Sequence, residues 1–297
     1  MRVDPFYVVN LSGALDQTQT RQEQLSEELS SGVRVATIGQ DPVAAAQNVQ
    51  LLNEIQRDDS FTQTTSLTLG QLQVTDSALG SVVTQLNQAI GLATEANNGT
   101  LNSSDLKSIS SQIAGLRDEV LSLANTSYQG TFIFGGSQTG SLPFTLDAST
   151  TPATVTYNGD SSVQTLVSPN GQSVQLNIPG DQVFTATTAN VLGALNSLIS
   201  DFASGTAGSG VSDTAALSSA LSYVGQQRVA IDNSITRLNA ASGAATAESL
   251  QLTTVQTNLM QASIPDISTQ MALTQSQQTA LISVISALGS GSLFDKL

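Results

Sequence analysis

The sequence predicts a mainly α fold with an inserted β domain: a long antiparallel helical bundle or coiled coil formed by both chain ends, plus a small all-β domain. Three observations carry this. Apolar residues spaced three and four apart fill both ends of the chain. Asp-Pro pairs stand where two of these stretches begin. Between Thr131 and Phe184 the composition shifts to Thr, Val, Gly, Pro and Asn.

The first helix is expected from about Asp4 to Ser31. Asp4-Pro5 reads as an N-cap followed by proline at the first helical position, and Leu11, Leu15, Leu25 and Leu29 share one stripe whose gaps are filled by Thr18 and Gln22. Gly32 and Gly39 end it, making 33–40 a joint. Asp41-Pro42 repeats the start signal, and no proline interrupts the stretch to Asn97-Asn98-Gly99. Leu72, Thr75, Leu79, Val82, Leu86, Ala89, Ala93 and Ala96 form a heptad seam along it. A continuous helix here is about 80 to 90 Å long at 1.5 Å per residue.

After a turn at 97–102, Leu106, Ile109, Ile113, Leu116, Val120 and Leu123 repeat the spacing in a third helix antiparallel to the second. Thr131 to Gly136 reads as a strand, followed by candidate strands at Ala153–Tyr157, Val163–Val167 and Ser173–Ile178. Asn158-Gly159 and Asn170-Gly171 supply hairpin turns. A short amphipathic helix is expected from Ala189 to Phe202, then a Gly/Ser loop over 204–212. Helical spacing returns with Leu217, Leu221, Val224, Ile231, Ile235 and Leu238. The last seam carries Ile264, Ile267, Met271, Thr274, Gln278, Leu281, Ile285 and Leu288. Pro265 marks either a fresh start, with Ser263 and Asp266 as a capping box, or a kink.

These elements divide the chain into five parts. Residues 1–34 form a coiled-coil helix that pairs with a second one at 263–297. Residues 35–130 and 185–262 form the two parts of a helical rod, and 131–184 the inserted β domain.

The composition excludes more than it suggests. Among 297 residues there is no Cys, Trp or His, and only 11% are charged. Disulfides, thiol nucleophiles, the commonest general base and the commonest metal ligand all disappear together. Acidic residues outnumber basic ones 23 to 9, giving a formal charge of −14 that repels nucleic acid and anionic membrane surfaces. The start, Met1 to Phe6, has no apolar run of signal-peptide length, and no segment reaches the roughly 18 apolar residues of a spanning helix.

Enzymatic roles have few candidates. Asp58-Asp59 and Asp118-Glu119 are adjacent acids, which on a helix diverge by about 100° rather than converge on a substrate. Gly135-Gly136 and the glycines of 205–210 lack the Lys and helix context of a phosphate cradle. Phe132, Phe134, Phe144 and Tyr157 suit either sugar stacking or the core of a small β domain. No enzyme, cofactor or metal site is expected.

Each apolar stripe needs another helix, since burial is worth about 25 cal/mol per Å². The middle stripes can satisfy one another. The terminal stripes are narrow and interrupted by polar residues, so the ends either close as an ordinary bundle or order fully against neighbouring copies. The expected assembly residues are Leu11, Leu15, Leu25, Leu29, Ile264, Ile267, Met271, Leu281, Ile285, Leu288, Leu293 and Phe294.

Particular runs then carry a resemblance. Leu25 to Val35, with Ser30, Ser31, Gly32 and Arg34, followed by Asp41-Pro42-Val43-Ala44-Ala45-Ala46, resembles the N-terminal signature of the flagellin and hook-associated protein superfamily. The Asp-Pro-Val-Ala-Ala run is similar to its hook-associated branch, whereas flagellin usually carries Asp-Asp-Ala-Ala-Gly there. Gln40 stands where that family tends to have a first Asp.

Tyr128 to Gly136, with Gly130, Phe132, Phe134 and Gly135, resembles the run at which that family leaves its helical domain for a variable β domain. Val224 to Arg228, Arg237-Leu238-Asn239, Gln277 to Leu281 and Ser292-Leu293-Phe294 resemble its C-terminal helices. The resemblance implies a secreted subunit of the bacterial flagellum, exported unfolded through the type III channel with a cytoplasmic chaperone. It implies a ring at the hook-filament junction, between hook-associated protein 1 and flagellin. Copies of the chain would pair through terminal helices forming an inner tube, with the β domain outside. A short flagellin forming the filament itself, and a surface polysaccharide-binding module, are the alternatives.

Overall fold

The structure is a computed structural model that describes residues 5–35, 37–205 and 210–290, with side chains described over 9–35, 37–205 and 210–287. It is mainly helical with a small strand-containing region. The helices are α1 (Pro5–Ser31), α2 (Pro42–Ala96), α3 (Ser103–Ala124), α4 (Gly180–Phe184), α5 (Val191–Ala203), α6 (Gly210–Met260) and α7 (Ile264–Ser290). The strands are β1 (Ser127–Tyr128), β2 (Thr131–Phe132), β3 (Phe144–Asp147), β4 (Thr154–Tyr157), β5 (Thr165–Val167) and β6 (Ser173–Gln175). The chain divides into two compact units, one of Met1–Arg57 with Glu248–Leu297 and one of Asp58–Ala247.

In the second unit every position of the expected α2 seam is buried: Leu72, Leu79, Val82, Leu86, Ala89 and Ala93 are at 0%, with Thr75 and Ala96 at 3% or less. Helix α3 differs in detail. Its buried line runs Leu106, Ile109, Ile113, Arg117, Val120 and Ala124, while Leu116 and Leu123 are only half-buried. Arg117 is tolerated there because Asn196 of α5 accepts from its Nη1 at 3.0 Å and Asp118 from its Nε at 2.8 Å. Asn102 caps α3 reciprocally with Asp105.

Helix α5 lays Leu192, Leu195, Leu198 and Phe202, all fully buried, into the same core, and Ser110 of α3 donates to its Ile199 carbonyl at 2.8 Å. Helix α6 adds Leu217, Val224, Ile231 and Leu238, and its Arg228 grips Asp76 of α2 with two nitrogens at 2.9 and 3.1 Å.

The strands pair as three separate antiparallel ladders, β1–β2, β3–β4 and β5–β6. Gln129 (φ 51°) and Gly130 (φ 83°) make a two-residue loop with both φ positive, the geometry of a twisted hairpin. Asn170-Gly171 turns the β5–β6 hairpin as expected. Asn158-Gly159 does not turn a hairpin. Strand β4 pairs backwards with β3, a strand not among those expected, and the Asn158 amide continues that ladder by donating to Pro143 O at 2.7 Å. The expected strand over 131–136 is reduced to Thr131–Phe132. Phe134, Phe144 and Phe184 are fully buried and meet edge to face, at 5.1 and 5.4 Å between ring centres, within the same core as α2, α3 and α5.

The first unit holds α1, α7, the start of α2 and the end of α6. Pro265 lies in the first turn of α7, where a missing N–H leaves no helical bond unmade, and α6 has already ended at Met260. It therefore marks a fresh start rather than a kink. The cap expected at Asp4 lies outside the described residues.

Candidate assembly interface

The first unit is organised by the joint that the Ser30 to Pro42 motif builds. Helix α1 stops because Gly32 takes φ +69°, a conformation side-chain-bearing residues resist, and its N–H bonds Glu28 O at 2.9 Å. Ser31 Oγ accepts from Val33 N at 3.2 Å, and Ser30 is exposed. Val33 then forms an antiparallel bridge with Gln261, flanked by Arg34 N to Met260 O at 2.7 Å and Ala262 N to Gly32 O at 2.9 Å. The two joints, 32–35 and 260–262, are thus a single hydrogen-bonded crossing.

Arg34 fastens the crossing sideways. Its Nη2 and Nε donate to Leu259 O at 3.1 and 3.4 Å, and its Nη1 pairs with Asp41 Oδ2 at 3.1 Å. Asp41 also caps α2, accepting from Ala44 N at 3.0 Å, and Pro42 occupies the first helical position. The Ala44 amide first, and the Arg34 guanidinium second, hold the Asp41 carboxyl below the usual carboxylate range. The sequence marked Arg34 and Asp41 but gave no hint of Leu259, because a backbone carbonyl leaves no residue signature.

From this crossing α1 and α7 run antiparallel. Leu25 packs with Ile267, and four residues further back Arg21 donates to Gln270 at 2.6 Å. Of the expected seam, Leu25 (0%), Ile267 (3%) and Leu11 (8%) are buried, and Leu15, Met271, Leu281 and Ile285 are half-buried. Leu29 and Ile264 are not brought into it; they stand 42% and 63% exposed. The Leu288 side chain, Leu293 and Phe294 lie outside the described residues. Thr274 is buried at 7%, with its hydroxyl returned to Gln270 O at 2.8 Å, and Thr18 donates to Leu15 O at 2.8 Å, so these two polar seam positions are satisfied within their own helices.

The core of this unit is small. Its contiguous buried cluster is Leu25, Ala262 and Ile267, with Met271 against it, and Leu11, Val35 and Ala44 are buried apart from that cluster. Large apolar side chains meanwhile face solvent: Val9 (66%), Ile38 (73%), Val43 (67%), Leu250 (69%), Leu273 (59%) and Ile282 (50%) among them. Scattered exposed apolar residues are ordinary on any surface, but among the described residues they outnumber the buried apolar residues of their own unit.

The second motif serves closure of the strand region. Tyr128 presses against Gly70 of α2, where an added Cβ would lie 2.4 Å from its hydroxyl. Phe132 is half-buried, and the Phe134 carbonyl accepts from Gly180 N at 2.8 Å. A Cβ on Gly135 would lie 2.6 Å from Gln138 O. Asp160 ties this loop together, accepting from Ser137 N at 2.8 Å, Ser162 N at 3.0 Å and the Ser137 hydroxyl. The Ser137 hydroxyl and amide hold its carboxyl well below the usual range.

Burial pushes the Tyr157 phenol up to about 12, and its oxygen lies 2.9 Å from both Phe134 O and Asp160 O. With Phe134 and Phe144 fully buried, these rings fill a core rather than a stacking platform.

Asp58 is buried while Asp59 is exposed, and Asp118 is held by Arg117. Among the described residues no set of three or more His, Cys, Asp or Glu side chains is placed to hold a metal, and no helix is long and apolar enough to cross a membrane.

Residues 8–139 match the family described as the bacterial flagellin N-terminal helical region. Flagellar hook-associated protein 3 of Salmonella typhimurium is 29% identical over 187 residues, which is 63% of this chain and 57% of that protein. The Escherichia coli protein of the same name matches to the same extent. The chain therefore spans under two thirds of the length of these curated relatives. A structure described as a flagellar hook-associated protein, from Vibrio parahaemolyticus, superposes with a TM-score of 0.65 at 19% identity, covering 75% of this chain and all of the other. The flagellar junction protein FlgL from Legionella pneumophila does so with 0.59 at 16% identity, covering 73% of this chain and all of the other. At those identities the two structures speak for the fold.

Proposed function

We propose that the chain belongs to the flagellin superfamily, of the hook-associated protein 3 (FlgL) kind, and that it is a structural subunit of the bacterial flagellum, forming the junction between hook-associated protein 1 and the flagellin filament. The observation that carries this reading is the first unit's small buried core beside its many exposed apolar side chains. Such faces gain stability when other copies cover them, at about 25 cal/mol per Å².

In this reading α1 and α7 line an inner tube, and 131–184 faces outward as a β domain. The expected assembly residues, from Leu11 to Leu29 and from Ile264 to Phe294, belong to that tube. The chain acts by adapting one helical lattice to another and performs no chemistry. It is secreted unfolded through the type III route, accompanied in the cytoplasm by an export chaperone.

The test replaces exposed apolar residues of the first unit by charge, as in Leu250→Asp with Leu273→Asp. Both side chains face solvent, so the free chain should keep its helical content. Incorporation into flagella should be lost. Normal incorporation of a folded double variant would sink the proposal. A short flagellin is distinguished by polymerisation: a junction subunit joins existing ends, whereas a flagellin extends alone into long filaments.

A further inference from the structure

The chain contains three Asn-Gly pairs, Asn98-Gly99, Asn158-Gly159 and Asn170-Gly171, and the fold treats them unequally. This dipeptide is the one most open to loss of the side-chain amide, because glycine leaves its own nitrogen unshielded and its backbone free to turn. The Gly amide nitrogen gives up its proton to solvent base and bonds to the Asn Cγ. The Cγ–Nδ2 bond breaks and ammonia leaves. Water then opens the cyclic imide at one carbonyl or the other, giving aspartate or isoaspartate. The reaction needs a side chain free to swing, a nitrogen free to attack and room for the ring.

Two of the pairs are held. The Asn158 side chain donates to Thr145 Oγ1 at 3.2 Å and Leu142 O at 3.4 Å, and its own amide donates to Pro143 O. Gly159 is wedged so closely that an added Cβ would lie 2.4 Å from Tyr157 Oη and 2.7 Å from Gly135 O. Asn170 Oδ1 accepts from the Ser168 hydroxyl and from Gln172 N at 3.3 Å. The Gly171 amide, which would be the nucleophile, already donates to Ser168 O at 2.8 Å.

Asn98-Gly99 differs in each respect. It lies just past the end of α2, and both residues are exposed. Asn98 uses its backbone N–H, to Glu95 O at 3.2 Å, but its side chain makes no hydrogen bond among the described residues, and neither does the Gly99 amide. Gly99 holds φ +71° in open space, with nothing near its missing Cβ. We propose that Asn98 is the deamidation site of the folded protein, and that the fold protects Asn158 and Asn170. The new carboxylate sits at the C-terminus of α2, three residues from Glu95, where both the helix dipole and a like charge oppose it. Conversion thus loosens the last turn of α2.

The experiment incubates the full-length chain at mildly alkaline pH, folded in one arm and unfolded in concentrated urea in the other. Peptide mass mapping and isoaspartate methylation follow each arm. In the folded arm position 98 should convert while 158 and 170 stay amides; in urea all three should convert. Gly99→Ala should suppress conversion at 98 in both arms by shielding the nitrogen. The proposal is overturned if 158 or 170 converts as fast as 98 in the folded chain, if 98 stays intact there, or if 158 and 170 resist conversion in urea as well.

Discussion

Replacing Leu25 by Ala removes the one fully buried large side chain in the first unit's apolar cluster, leaving Ala262, Ile267 and half-buried Met271 around a void. Leu-to-Ala changes in well-packed cores cost about 2.7 to 5 kcal/mol, rising with the cavity that remains. Met271 is flexible and half-exposed, so the site can partly collapse, and the lower end, about 2.8 kcal/mol, is the better expectation. That is roughly a hundredfold in the opening equilibrium. The unit has little other core to absorb the loss, so α1 and α7 should lose protection together while 58–247 keeps its own. Native-state hydrogen exchange with peptide resolution reads this directly, and Leu86→Ala, equally buried in the second unit, is the reciprocal control. If α1 amides keep their protection in Leu25→Ala, or if both units lose it equally, the reasoning about a separately and weakly stabilised first unit is wrong.

Other perturbations address the motifs. Gly135→Ala forces the Gln138 carbonyl aside and should destabilise the second unit by about 1 to 3 kcal/mol in urea unfolding. Arg34→Ala should raise the Asp41 pKa only part of the way to its ordinary value, because the Ala44 amide is the larger cause; carboxyl titration by NMR checks this. The same shift sets a sign. Asp41 and Asp160 are both depressed in the folded chain, so their stabilisation is present at neutral pH and is lost as pH falls through and below the ordinary carboxylate range. Tyr157 behaves oppositely. With its phenol raised from 10.0 to about 12, its contribution is intact below 10.0 and fades as pH rises from there, visible as a late-titrating phenol that Tyr157→Phe removes from a spectrophotometric titration.

The helices were legible because their periodicity is redundant. Eight consecutive seam positions from Leu72 to Ala96 are all buried, and one misplaced residue would not have hidden the pattern. In α3 the pattern misled locally. Apolar Leu116 fits the seam that Arg117 in fact occupies, and the burial of Arg117 depends on Asn196, a partner 79 residues away that periodicity does not see. The strand region was the least legible. Strand β3 follows Pro143 with Phe-Thr-Leu-Asp, too short for alternation to register, and Asn158-Gly159 has hairpin chemistry although its glycine serves a close approach to Tyr157.

At the joint, Gly32, Asp41 and Pro42 announced a helix end and a helix start, because capping and positive φ restrict residue type. Their partners Leu259, Met260 and Ala262 contribute backbone atoms or a methyl group, which almost any sequence provides. The same logic explains the terminal seams. Spacing identified Leu25 and Ile267 as facing inward, but it could not separate them from Leu29 and Ile264, which the chain alone leaves uncovered.

In the proposed assembly, other copies of this chain and adjoining flagellar subunits cover the apolar side chains that the first unit leaves exposed. Since the chain has no cysteine, single variants at Leu250, Leu273 and, as an exposed loop control, Thr150 can each carry one unambiguous thiol. Labelling with a maleimide, in the free chain and in isolated flagella, is the most direct measurement. All three positions should label rapidly in the free chain, and in flagella labelling should be lost at 250 and 273 but not at 150. Equal labelling of 250 and 273 in both states would contradict it.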